Sequence, residues 1–115
     1  MNTIDEILQE LINGSGSQAV FIGSGDGMAM ASVNTKDEDR MAAMTATLMS
    51  MGQKFISDLE LGGVEQIYIK TGKNFMLFKE VKENVVLGIV SGESTKLGML
   101  LYHLDNTVKK LNEVL

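Results

Sequence analysis

The segment from Asp37 to Leu61 is too apolar for a helix with one buried face. It opens on Asp37, Glu38 and Asp39 and stops at Gly62-Gly63. At about 100° per residue, Met41, Met44, Leu48, Met51, Phe55 and Leu59 form one stripe. Ala42, Thr45, Ala46, Met49 and Ile56 form a second beside it. Together the stripes span roughly 220° of the circumference, about twice what a one-sided surface helix needs. The first stripe is expected to pack on the chain's own core. The second then needs cover from elsewhere, which makes partner binding the leading expectation.

A chain of 115 residues fits one domain, 1–115, and can bury a core without staples. It has no cysteine, which excludes disulfides, thiolate catalysis and cysteine metal sites and suits a reducing cytosol. The start, Met1 to Asp5, has no basic stretch leading into an apolar one, so no export signal is expected. No apolar run reaches the length of a membrane span, so no insertion is expected and the protein reads as cytoplasmic. The net charge of −5 is unevenly spread. Residues 1–60 carry nine acidic and three basic side chains, and residues 61–115 carry six and seven. With no basic patch and no tryptophan, nucleic acid is not an expected partner. An acidic half favours a basic protein surface.

Thr3-Ile4-Asp5-Glu6 is a capping box, and Ile4, Ile7, Leu8, Leu11 and Ile12 behind it repeat at helical spacing. Gly14-Ser15-Gly16 ends that helix. Gln18 to Ile22 is an apolar run of strand length, Gly23 to Gly27 a turn, and Met28 to Val33 the returning strand. Thr35-Lys36-Asp37-Glu38 repeats the T-x-x-E pattern and is expected to cap the long helix. Val64 to Lys70 is a strand with Ile67 and Ile69 on one face and Gln66, Tyr68 and Lys70 on the other, which suits an edge. Phe75 to Val81 and Val85 to Val90 follow, the latter apolar on both faces and therefore central. Leu97, Leu100, Leu101, Leu104, Val108, Leu111 and Leu115 place a one-faced helix at the end. The order αββαβββα is an α+β fold. Its five-stranded, mainly antiparallel sheet is expected to carry the long helix on one face and the two terminal helices on the other.

No catalytic constellation is legible. Gly23-Ser24-Gly25-Asp26-Gly27 has the glycines of a phosphate loop, but it runs into a strand rather than a helix N-terminus, so a tight turn is expected. Ser91-Gly92-Glu93-Ser94 precedes a helix, yet Glu93 would repel an anion. His103 is the only histidine and lies off the leucine stripe, so a surface position is expected and no metal site. Arg40 is the only arginine; it stands three residues after Asp37, where an ion pair is available. No cofactor is expected. Ala42, Ala46 and Gly52 are small enough for a second backbone to approach. On that basis Ala42, Thr45, Ala46, Met49, Gly52, Gln53 and Ile56, with Ile67, Tyr68 and Ile69 of the edge strand, are the expected interface. Gly52→Leu is then expected to weaken association more than the fold.

Element order and specific segments together resemble the Roadblock family, the group of Roadblock-type dynein light chains, MglB-like proteins and Ragulator subunits. The carrying residues are Gly16 to Ile22 with the turn Gly25-Asp26-Gly27, the small-and-Met-rich long helix, Val64 to Ile69, and Thr95-Lys96-Leu97-Gly98-Met99. The resemblance covers nearly the whole chain. It implies a homodimer or a heterodimer, the homodimer being the expectation for this chain, in which long helices pack together and edge third strands join two sheets. It further implies binding of a small Ras-like GTPase, with hydrolysis promoted without an arginine finger. Asp37, Glu38 and Asp39 then form the GTPase-contact rim. The alternative within the family is a structural dimerisation subunit of a motor or trafficking complex. A small-ligand sensor of PAS-like or profilin-like shape is a third class, and it would need a cavity lined by a few polar groups.

Overall fold

The computed structural model describes residues 3–115, so Met1 and Asn2, on which the reading of the chain start partly rests, lie outside it. The elements are α1 (Ile4–Ser15), β1 (Ala19–Ser24), β2 (Ala29–Val33), α2 (Glu38–Asp58), β3 (Gln66–Lys70), β4 (Asn74–Lys82), β5 (Val85–Gly92) and α3 (Leu97–Val114). The strands form one sheet in the order β2-β1-β5-β4-β3. Every neighbouring pair is antiparallel. β1 and β5 are interior and β3 is an edge, as their patterning requires.

α1 starts where the capping box places it. The Glu6 N–H donates to Thr3 Oγ1 at 3.2 Å, and the Thr3 hydroxyl donates to Glu6 Oε1 at 3.1 Å. It stops at Gly16, whose φ of 72° lets its N–H reach Ile12 O at 2.9 Å, a position an L side chain would strain. The second box does not form. The Thr35 hydroxyl donates instead to Val20 O and Val33 O, tying the β2 exit to β1. α2 therefore starts from Asp37 at φ 55° with no side-chain cap.

The two faces of the sheet are unequally covered. On one, Ile7, Leu8 and Leu11 of α1 and Leu100, Leu104 and Leu111 of α3 close over Val20, Ile22, Leu77, Leu87 and Ile89. A polar seam finishes that layer: the Ser17 and Ser91 hydroxyls meet at 2.8 Å, and the Asn74 amide donates to Ser91 O at 3.3 Å. On the other face the buried apolar cluster is Phe21, Phe78 and Val86, with Met41, Leu48, Met49, Ile67 and Met76 half-buried around it. Phe21 lies over Gly88, where an added Cβ would stand 2.6 Å from Phe21 Cε2, and meets Phe78 edge to face at 6.4 Å.

Gly88→Ala should displace that ring and cost about 1–3 kcal/mol, the usual penalty for overpacking. Urea unfolding followed by circular dichroism checks this; an unchanged midpoint would mean the ring has room to move.

Candidate functional site

The geometry of α2 departs from the expected roles of its two stripes: in the first, Met41 and Leu48 pack on the sheet but the other members do not. Ala42 and Thr45 are buried against the chain's own sheet, and Ala46, Met49, Gly52 and Ile56 are half-buried. Met44, Met51, Phe55 and Leu59 are more than half exposed. The reason is close approach. A Cβ added at Gly23 would stand 3.0 Å from Ala42 Cβ, and one at Gly27 3.9 Å from Ala46 Cβ. The small residues thus admit the β1–β2 hairpin of the chain itself. Thr45 satisfies its hydroxyl by donating to Met41 O at 2.7 Å, so its burial leaves no polar atom unpaired.

Further along, α2 crosses to the far edge of the sheet. A Cβ at Gly52 would meet Ile67 Cδ1 at 3.2 Å and Val64 Cγ2 at 3.7 Å. Gln53 clamps the loop after the helix: its Oε1 accepts from the Val64 N–H at 3.1 Å. Of the residues expected at a partner interface, Ala42 and Thr45 are thus buried against the chain's own sheet, and Gly52 is half-buried over Ile67 and Val64. Periodicity identifies residues that share a face; it does not say which face looks inward.

The side of α2 that remains open forms the wall of a groove of about 630 Å³. Met44, Leu48 and Met51 make the wall, and Phe21, Phe78, Met76 and Ile69 the floor. A second hollow of about 790 Å³ continues from Leu48 and Met51 past Phe55 to Leu61 and Ile67. Below both lies β3, paired on one side only. Ile67 and Ile69 face the groove, opposite Phe78 and Met76 of β4. Tyr68 faces the other way, 5.5 Å from Phe75 between ring centres. Met76 escaped the sequence reading, although strict alternation with Phe75 and Leu77 marked its face.

Asp37, Glu38 and Asp39 are exposed at one end of the groove helix. Glu38 is partly engaged, accepting from the Ser32 hydroxyl at 2.6 Å. Arg40 is exposed, and its expected pair with Asp37 does not form: among the described residues the ion pair within 4.0 Å is Lys110–Glu10, at 2.9 Å. His103 is half-buried rather than on the open surface, because Gly14 of α1 leaves room for it; a Cβ there would stand 3.2 Å from His103 Cε1. The glycine loop is a hairpin turn, closed by Gly27 N–H to Ser24 O at 3.0 Å. No group of three or more His, Asp or Glu side chains among the described residues is placed to hold a metal. No helix there is long and apolar enough to cross a membrane.

The sheet is thus half-covered, with an apolar groove and an open edge strand beside it, features that in proteins generally accompany association with other protein surfaces. The family model of the Roadblock/LC7 domain matches residues 3–91, and the chain belongs to that family. Its fold is similar to that of Myxococcus xanthus MglB, with a TM-score of 0.91, 17% identity, and 96% of this chain and 93% of that one covered. A Roadblock/LC7 domain from Streptomyces avermitilis is similar at a TM-score of 0.91 and 18% identity, with 98% of each chain covered. Acanthamoeba castellanii profilin II shares the architecture more distantly, at a TM-score of 0.67 and 16% identity over 95% of this chain and 96% of that one. No curated protein sequence matches the chain.

Gly52→Leu should now destabilise the protomer itself, by about 1–3 kcal/mol, because the new side chain has to displace Ile67 and Val64. Denaturant unfolding at concentrations well below association checks this. A gain in stability, the outcome for an exposed helical glycine, would show that Gly52 faces water.

Proposed function

We propose that this chain is a dimeric, non-catalytic platform for a small Ras-like GTPase. The observation that carries the reading is the apolar groove along α2, open to solvent beside an unpaired edge strand. Its exposed residues are large and mostly unbranched, the kind that repack against a partner. The groove offers no built polar anchor for a small ligand, since the hydroxyls of Thr45 and Thr47 that line it both donate to carbonyls of their own helix, and this disfavours the sensor reading.

A second copy is the simplest cover for a self-complementary groove and edge, because a two-fold contact closes on itself. The outer side of the paired helices, with Asp37 and Asp39 at its rim, then remains for the GTPase. Switch segments ordered by the γ-phosphate would make that contact nucleotide-dependent. Exposed acidic groups at the rim would act chiefly on the rate of encounter.

Light scattering at micromolar concentration should give twice the 12.5 kDa chain mass, and Phe55→Asp should return the monomer with unchanged circular dichroism. A monomer mass for the parent chain would sink the dimer.

For the GTPase, the test is binding of a candidate Ras-like protein loaded with a non-hydrolysable GTP analogue or with GDP, followed by single-turnover hydrolysis. Binding should favour the analogue. Arg40→Ala should slow any stimulated hydrolysis by less than about tenfold, whereas an arginine finger is worth about 10³–10⁵. A thousand-fold loss at saturating protein would make Arg40 catalytic and the platform reading wrong.

A further inference from the structure

Sulfur is concentrated in the groove. Met41, Met44, Met51 and Met76 all line it. The chain has no cysteine, so thioethers carry all of its sulfur chemistry. The four differ in access. Met41 and Met76 are half-buried against the Phe21 and Phe78 cluster, whereas Met44 and Met51 are 55% and 53% exposed. With Leu48 between them, Met44 and Met51 form one ridge of α2 at i, i+4 and i+7, about 10 Å from end to end. In the separate protomer, both ends of the groove wall are therefore open thioethers.

The groove has nothing to offer a new polar atom. Phe21, Phe78 and Ile69 supply the floor. The two hydroxyls of the lining are already engaged: Thr45 donates to Met41 O at 2.7 Å and Thr47 to Ala43 O at 3.2 Å. The N–H groups inside α2 are used by the helix itself. An acceptor oxygen placed on this wall has water as its partner while the groove is open. Once the groove is covered, this chain gives it no donor.

We infer that Met44 and Met51 are oxidation sites through which a peroxide controls association at the groove. The inference rests on the dimer reading above and names a regulation of that contact. In each step the thioether sulfur attacks the O–O bond of the peroxide, which breaks. The sulfur loses two electrons and gains one oxygen as a sulfoxide. Hydrogen peroxide is reduced, and its second oxygen leaves as water with both protons. The product is a polar side chain, a change that disrupts Met-rich contacts. Covering it removes its water without replacing the hydrogen bond, an imbalance that weakens association by about tenfold. The two events oppose each other: the sulfoxide disfavours cover, and cover shields the thioether. Met28, Met30 and Met99 are exposed as well, but none of them lines the groove. Their sulfoxides stay in water and leave association unchanged.

The test treats the parent chain with hydrogen peroxide below and above the concentration at which it dimerises. Peptide mass spectrometry maps the oxygen gained, and sedimentation gives the dissociation constant. Met44 and Met51 should gain oxygen several-fold more slowly in the dimer, and Met28 and Met99 at one rate throughout. The oxidised chain should associate about tenfold more weakly, and reductases for both sulfoxide epimers should restore it. A chain carrying Met44→Leu and Met51→Leu, swaps of similar volume, should stay dimeric through the same treatment. One carrying Met28→Leu and Met99→Leu should weaken as the parent does. If the Met44→Leu, Met51→Leu chain does not associate before treatment, reductase reversal of the mapped sulfoxides decides alone. Full oxidation at Met44 and Met51 with an unchanged dissociation constant would overturn the inference and leave the dimer standing. An equal loss in the Met44→Leu, Met51→Leu chain would do the same, as would rates at these two sites that ignore dimerisation. A monomer before any treatment would remove the dimer reading, and this inference with it.

Discussion

The packing of Phe21 over Gly88 is the contact on which the thin side of this molecule depends. With Phe78 and Val86 it makes up the buried cluster of that face, against the larger cluster under α1 and α3. α2 is held by this small patch, by the approach of Ala42 to Gly23 and by that of Gly52 to Ile67. Nothing larger intervenes, so the helix sits close to the sheet and its bulky side chains are pushed outward. The groove follows from that closeness.

The architecture was legible because it rests on patterns with a clear period. Two-sided apolar runs at Val20–Ile22 and Val85–Val90 demanded cover on both faces, and the terminal helices supplied it on one. The alternation of Val64 to Lys70 marked an edge. The site was legible only in part. A helix with two apolar stripes offers two ways to sit, and bulk suggested the wrong one. Met41 and Leu48 do pack inward, half-buried, but Met44, Met51 and Phe55 do not. The deciding contacts, Gly23 on Ala42 and Ile67 on Gly52, join residues far apart in sequence, and a period carries no trace of them. The Thr35 box failed for a similar reason: its hydroxyl had two carbonyl acceptors across a strand pair.

Loops do more positioning here than their composition suggests. Gln53 holds the Val64 N–H, so the chain returns from the end of α2 to β3 under control of a single amide. That link fixes the distance between the helix and the open strand edge. The serine and asparagine seam at Ser17, Asn74 and Ser91 does the same for the opposite layer. With it, all described buried side-chain polar atoms have partners.

Ionic contacts contribute little to this fold; the pair between Lys110 and Glu10 joins two half-exposed side chains. Surface substitutions away from caps and cores usually change stability by less than about 0.5 kcal/mol. Most outward positions of this chain are therefore free to drift without loss of shape. A lineage built on such a scaffold can rewrite nearly its whole exterior, and with it the proteins it meets, while a small set of interior residues keeps the backbone in place. The fold shared with Myxococcus xanthus MglB, at a TM-score of 0.91 and 17% identity, shows how far two sequences can differ around one backbone.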